Sequence, residues 1–254
     1  MNKDLEKREM EQYLKQLNIP ENEILFLHVR LKGIMDKFSY RELSQQIVTV
    51  LNNLYKPKTI LVPTFTYSYT KTGVYNQTSS PSEVGRFGEE IREQYPTTHR
   101  TINPVFNVID TNNYFQQFHL KEETAFGEDS ILHMLHDLGH VVININVDKF
   151  ISTYLHYLEF AYKVPYRYIK NFPGEVISSN TVKKDIVYQY FVRDLEKDTT
   201  WDREKIKKTL QEEGVLKVFN FEHFEVMWTH SKQMENILGS KLETDKNFLL
   251  KNGE

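Results

Sequence analysis

The chain has 254 residues, a net charge of −3 spread over interleaved acidic and basic residues, and no cysteine. That length allows one large domain or two small ones, with a core that needs no disulfide or metal, and the missing cysteines exclude thiol nucleophiles, thiolate metal sites and a disulfide framework. The mixed charge excludes the basic stripe of a nucleic-acid binder, and no apolar run reaches the ~18 residues of a membrane span.

The charged start lacks the apolar segment of a signal peptide, so a cytoplasmic protein is expected. Residues 4–17 read as a helix, with Leu5, Tyr13, Leu14 and Leu17 as partial anchors and Pro20 as its stop. Residues 24–29 form a continuous apolar run suited to a strand buried on both faces. Leu43, Ile47, Val50, Leu51 and Leu54 then keep helical spacing over 40–55, and 59–63 is a second buried strand. Helix, strand, helix, strand is the pattern of a parallel α/β sheet. A polar loop over 67–82 precedes a helix near 82–95 capped by Ser82. A short strand at 105–109 follows, then a helix from Ser130 to Leu138 closed by Gly139, a core strand at 141–145 and a helix over 149–162. Beyond that the pattern alternates over 182–191 and 215–228, as antiparallel strands do, around a charged helix near 202–213. A last helix covers 230–242. The fold class predicted is a mixed α/β fold. Its largely parallel central sheet is flanked by helices and carries antiparallel C-terminal strands, in one domain over 1–254 with 176–254 as its elaboration.

Four segments carry chemistry. His156 and Glu159 stand one helical turn apart after a buried strand, so a carboxylate can orient a general base; a half-buried histidine beside a surface glutamate is the plain alternative. Arg30 and Lys32 follow the first strand, where parallel sheets bind ligands, and can neutralise phosphates or be solvated cations. Thr64, Thr66 and Ser68 follow the second strand and can line a cleft or serve turn chemistry. Arg100 and Thr101 offer a phosphate-binding pair in a tight turn. His99, His119, His133, His136, His140 and His230 show no metal-ligand spacing, and no metal is expected. Neither glycine-rich nucleotide fingerprints nor the motifs of zinc proteases and α/β-hydrolases occur.

In order along the chain, these segments resemble the aminoglycoside 3-N-acetyltransferase family. His28-Val29-Arg30-Leu31-Lys32 is similar to its His-Ser-Ser-Leu-Arg-like strand end, and Pro63 to Thr66 to its Pro-Thr-Phe-Thr. Pro81-Ser82 and Gly85 match a Pro-Ser-x-x-Gly helix start, and Arg100 to Pro104 an Arg-Ser-x-His-Pro turn. Phe126-Gly127 and Ser130 match Phe-Gly-x-x-Ser. Thr153, Leu155, His156 and Glu159 match Thr-x-Leu-His-x-x-Glu, with Val164-Pro165-Tyr166-Arg167 after it. The similarity spans roughly residues 20–250.

The resemblance implies a mixed α/β fold distinct from GNAT acetyltransferases, acetyl-CoA or another acyl-CoA as donor, and the amine of a sugar as acceptor. It makes His156 the general base, with Glu159 beside it. The CoA side is expected at Arg30, Leu31, Lys32, Arg100, Thr101 and Phe106. The acceptor side is expected at Thr64, Thr66, Ser68, Tyr75, Asn76, Glu83, Tyr166 and Arg167.

The chain departs from the family pattern at Val29 and Arg30, where paired serines are usual, at Asn103 in place of a histidine, and at Tyr75-Asn76 in place of Phe-Asp. Asn76 removes a carboxylate of the kind a polycationic drug favours. The acceptor preferred on this reading is therefore a nucleotide-linked amino-dideoxy sugar for surface polysaccharide or glycoconjugate synthesis, with an aminoglycoside antibiotic as the alternative. A non-catalytic CoA- or sugar-binding module and an aromatic-rich nucleic-acid-associated protein are the rival classes. No nucleic-acid or membrane partner is expected, and a homo-oligomer is left open.

Overall fold

The computed structural model describes residues 3–35, 37–178 and 181–251; Met1 and Asn2 of the charged start, and 252–254 of the predicted domain, lie outside them. The first half of the chain runs α1 (Lys3–Lys15), β1 (Ile24–Val29), α2 (Tyr40–Tyr55), β2 (Thr59–Pro63), α3 (Tyr69–Thr72), β3 (Val74–Asn76), α4 (Arg86–Gln94), β4 (Val108–Asp110) and α5 (Ile131–Leu138). The second half runs β5 (Val141–Ile145), α6 (Tyr154–Ala161), β6 (Arg167–Ile177), β7 (Val182–Arg193), α7 (Arg203–Glu212), β8 (Lys217–Asn220), β9 (Glu225–His230) and α8 (Ser231–Thr244).

The fold is mixed α/β, as the pattern predicts, and its main sheet has the strand order β4-β2-β1-β5-β9-β8. Its centre is parallel: β1 pairs β2 from Ile24↔Thr59 and β5 from Leu25↔Val141. Antiparallel strands flank it, β4 on β2, β9 on β5 and β8 on β9. Every residue of β2 and β5 is buried, which is why both read as apolar runs broken only by Thr59 and Asn144; full burial of each aliphatic side chain is worth about 1.5–3 kcal/mol. Helix α2 starts where Ser39 accepts from the Glu42 N–H and Glu42 reaches back to the Ser39 N–H, a reciprocal cap worth about 1 kcal/mol.

A second sheet, β3-β6-β7, lies beside the first, built on the long β6–β7 hairpin. Residues 67–82 are thus not all loop, since α3 and β3 lie within them and β3 pairs β6. The strand β6 escaped the pattern because it has one fully buried residue and is interrupted by Pro173 and Gly174. Gly174 is required there: a Cβ on it would lie 2.2 Å from the Gly73 carbonyl oxygen.

Three boundaries also differ. Helix α4 begins after Gly85, and Ser82 does not cap it; its backbone N–H instead donates to Glu89 at 2.7 Å. Strand β4 begins at Val108, because Asn103 and Asn107 fold 103–107 into a turn through the Phe106 N–H and the Pro104 carbonyl. The alternation over 215–228 is a hairpin turned at Phe221–Phe224. Among the described residues no helix is long and apolar enough to cross a membrane.

Candidate active site

From β1 the chain moves to β2 on one side and later to β5 on the other, so the order β2-β1-β5 opens a crevice beyond the carboxyl ends of these strands. A cleft of about 660 Å³ occupies that position, walled by residues 27–32 at the end of β1, Pro63 and Phe65 at the end of β2, 147–149 and 151–153 after β5, and the start of α4. The α4 wall approaches closely because residue 88 is glycine; a Cβ there would lie 2.4 Å from the Pro63 carbonyl oxygen.

His156 reaches this cleft from the first turns of α6. The buried Asn144 side chain, near the end of β5, clamps the approach to that helix. Its Oδ1 accepts from the Ile151 N–H at 2.7 Å and its Nδ2 donates to the Ile151 carbonyl at 2.8 Å. The His156 side chain is 26% exposed, whereas Glu159 is fully buried, with Oε2 3.3 Å from His156 Nδ1. Arg167 Nε lies 2.7 Å from the same oxygen as an ion pair, and the Trp201 indole N–H donates to Oε1 at 2.7 Å. Phe106 meets the imidazole edge-on at 5.6 Å between centroids, and Trp201 covers it at 4.7 Å.

Burial lowers the His156 pKa and outweighs the opposing hydrogen bond to Glu159, while Arg167 and Arg193 lower it further. Burial pushes the Glu159 carboxyl up, but the His156 hydrogen bond, Arg167 and Trp201 together hold it below its ordinary value. The pair at neutral pH is a neutral imidazole beside a carboxylate. With Nδ1 turned to Glu159, Nε2 is the nitrogen left to take a proton. His28, also on the cleft, accepts from the Thr153 N–H through Nε2 at 3.4 Å, and burial drives its pKa down to about 3, so it is uncharged.

Charge in the cleft is one-sided. Among the described residues, Arg30, Lys32, Arg86, Lys149 and Arg203 line it against one carboxylate, Asp148. Arg30 pairs with Asp148, Arg86 with Glu90 and Lys149 with Glu204. Lys32 and Arg203 have no ion pair among the described residues, so they are the cations free to meet a polyanion. One group of metal-ligating type comes together among the described residues, Glu9, Glu222 and His223, and it is no part of the cleft.

The predicted residues fall into two clusters. His156, Glu159, Tyr166, Arg167 and Phe106 gather at the imidazole, and Arg30, Leu31 and Lys32 line the cleft. Tyr166 is buried, and burial with the Glu159 charge raises its phenol pKa; Phe106 is a buried wall of the imidazole.

The second cluster is internal. Arg100 is 2% exposed, and all five of its N–H groups are directed at Asn107, Gln77, Ser80, Thr64 and Thr66. An arginine expected to bind CoA phosphates is therefore a structural one. Thr64 and Thr66 are equally buried, and their hydroxyls donate to Asn107 and to the Pro81 carbonyl, so neither can line a substrate channel. Thr101 joins the turn to β4 through Val108, and Tyr75 is a fully buried ring 5.2 Å from the Arg100 guanidinium. Asn76 accepts from the Thr78 and Ser79 N–H groups, which is turn chemistry. Glu83 accepts from the Ser68 N–H and so clips the two loop segments together beside exposed Tyr67.

Trp201, Arg203, Arg86, Lys149, Asn144 and His28 were missed as site residues. His28 and Asn144 lie on strands whose apolar context gave a usable signal: a polar residue near the carboxyl end of a buried parallel strand. Trp201 and Arg203 arrive from a charged segment with no such mark.

Residues 26–243 match the family described as aminoglycoside 3-N-acetyltransferase. Among similar solved structures, AAC-IIIb in a binary complex with CoASH has a TM-score of 0.74 at 14% identity over 94% of this chain and 96% of that chain. AAC-VIa bound to sisomicin has 0.75 at 14% over 94% and 97%. The YokD protein from Bacillus subtilis has 0.72 at 17% over 97% and 95%. At such identities the likeness establishes a shared fold. No curated protein sequence matches the chain.

Proposed function

Since the chain belongs to the aminoglycoside 3-N-acetyltransferase family and is thus an acyl-CoA-dependent N-acyltransferase with acetyl-CoA as donor, we propose that it acetylates an amine of an aminoglycoside, with His156 as general base. The observation that carries this reading is the His156 imidazole, open to the cleft on one side and held by buried Glu159 on the other, with burial lowering its pKa.

The basic cleft fits CoA: Lys32 and Arg203 suit its phosphates, with Arg30, Arg86 and Lys149 adding to the field. The acceptor nitrogen attacks the thioester carbonyl carbon, the C–N bond forms, the C–S bond breaks and the CoA thiolate leaves. His156 Nε2 takes the proton released by nitrogen and can pass it to the thiolate. Glu159 steadies the imidazolium as it forms, and a positioned base of this kind contributes about 10²–10⁴-fold. Attack is taken as direct, since the chain has no cysteine and no serine in a recognisable nucleophile motif. We also take residues 1–254 as one acyltransferase domain with 176–254 as its elaboration, supported by β8 and β9 continuing the main sheet from β5. A cytoplasmic setting, where acyl-CoA is supplied, goes with this activity.

The preference drawn from sequence for a nucleotide-linked amino sugar gives way here, since the family description and the sisomicin-bound relative both favour the drug. One observation sustains it as a second reading: five cations against one carboxylate in the cleft suit an acceptor that bears its own negative charge. Thiol release and product mass, with acetyl-CoA against gentamicin-type drugs and nucleotide-linked amino sugars, separate the two. Turnover of the nucleotide sugar alone would reverse the order, and turnover of no amine would overturn both.

A further inference from the structure

We propose that Trp201 is a positioning residue for His156, its indole N–H holding Glu159 while its ring covers the imidazole. The inference rests on His156 being the base. One side chain then fixes both the carboxylate that orients the base and the environment of the base itself.

The geometry is two-sided. Trp201 Nε1 donates to Glu159 Oε1 at 2.7 Å, and its ring centroid lies 4.7 Å from that of His156, tilted by 42°. The two Glu159 oxygens are thereby divided, Oε1 to Trp201 and Oε2 to His156 and Arg167. A carboxylate's terminal torsion is soft. Without a donor on Oε1 the group can turn, and Oε2 then leaves the imidazole. An indole N–H is a donor only, which suits it to a carboxylate oxygen. The ring also shields His156 from water. The charged groups facing the imidazole are Glu159 from α6, Arg167 from β6 and Arg193 from β7, with uncharged His28 from β1.

Trp201 is itself held from outside the site. Its backbone bridges Leu250, and its neighbours Thr200 and Asp202 bond to Lys251 and Leu249. The C-terminal segment thus reaches the reaction centre through this one side chain.

The test compares Trp201→Phe, which keeps a ring and the backbone bridge but loses the N–H, with Trp201→Leu, which loses both. The readouts are kcat and both KM values against pH, and the His156 imidazole titration by NMR on the enzyme without acceptor. Trp201→Phe is expected to lower kcat about tenfold, the scale of one hydrogen bond to a charged group, with the KM for acetyl-CoA little changed. Trp201→Leu is expected to raise the His156 pKa toward its ordinary value as water reaches the ring, carrying the acid limb of kcat with it. A folded Trp201→Phe enzyme with wild-type kcat and an unchanged imidazole titration overturns the proposal, whether or not Trp201→Leu folds. If the wild-type enzyme acetylates no amine, the proposed function fails, and the titration still decides whether Trp201 holds the imidazole.

Discussion

Arg100 donates through Nη2 to the carbonyl oxygen of Thr64 at 2.7 Å, joining chain segments 36 residues apart. Its other N–H groups reach Asn107, Gln77, Ser80 and Thr66, and the Tyr75 ring lies against the guanidinium. The turn after β2, the strand β3 and the turn before β4 are knotted through one cation. None of these contacts is to a carboxylate, and burial lowers the arginine pKa.

Replacing this arginine should therefore unfold the protein rather than weaken donor binding. Arg100→Met strands several buried acceptors, each worth about 1–3 kcal/mol when left unpaired, so a loss of about 3 kcal/mol or more is expected. Arg100→Lys should lose nearly as much, because an ammonium cannot reproduce a planar five-donor fork. Denaturant melts measure this, and a fully stable Arg100→Met enzyme with a raised KM for acetyl-CoA would restore the phosphate-binding role.

His156→Ala or His156→Asn should lower kcat by about 10²-fold or more while acetyl-CoA still binds, since only the positioned base is removed. The lowered pKa of His156 sets the pH profile as well. With His156 as the proposed base, the neutral imidazole is the form that accepts the proton, so the acid limb of kcat at saturating substrates should lie below 6.5, the ordinary imidazole value. An acid limb above that value, or near-normal turnover in His156→Ala, would mean that another group takes the proton.

Acid should destabilise the protein early. His140 is buried and His28 half-buried at the cleft, and desolvation lowers each pKa from 6.5 to about 3. Between those values the unfolded chain binds two protons that the folded chain does not, so stability falls as pH falls. The slope is about 1.4 kcal/mol per pH unit for each histidine. His140 lies outside the cleft, its backbone N–H bonded to Ser231 and its Nδ1 to the Leu135 carbonyl. His140→Gln should remove roughly half of that slope between pH 6 and 4. Chemical denaturation across this range checks it, and a pH-independent midpoint in the wild-type protein would contradict the assignment.

Most of the main sheet was legible because full burial writes itself as continuous apolar sequence. The strands β1, β2 and β5 and the helix α2 have the bounds their patterns predict. The second sheet was not, because β6 is only partly buried and interrupted and β3 has three residues. The site divides in the same way. His156 and Glu159 stand on one helix and their spacing is local, so sequence could pair them. Arg100 and Trp201 make their contacts through tertiary folding. An arginine in a polar turn looks alike whether its fork meets a phosphate or five atoms of its own chain. Trp201 touches Glu159 across 42 residues, which no periodicity reports.

The last prediction concerns salt. Lys32 and Arg203 have no ion pair among the described residues, and the cleft carries five cations against one carboxylate. Acetyl-CoA brings phosphates to this field, whereas an aminoglycoside brings several ammonium groups. Screening should act on the two substrates in opposite directions. Raising ionic strength from about 0.01 to 0.15 M shortens the Debye length from about 30 to 8 Å, and should raise the KM for acetyl-CoA while lowering that for the drug. Lys32→Ala and Arg203→Ala should each raise the acetyl-CoA KM about tenfold, the scale of a charge-assisted contact, and flatten its salt dependence. An acceptor with its own phosphates would behave as acetyl-CoA does, so its KM would rise with salt. Two KM series against salt, for a gentamicin-type drug and for a nucleotide-linked amino sugar, therefore test the charge of the cleft and the class of acceptor together. A drug KM that climbs with salt would require carboxylates at the acceptor end, contrary to the charge distribution described here.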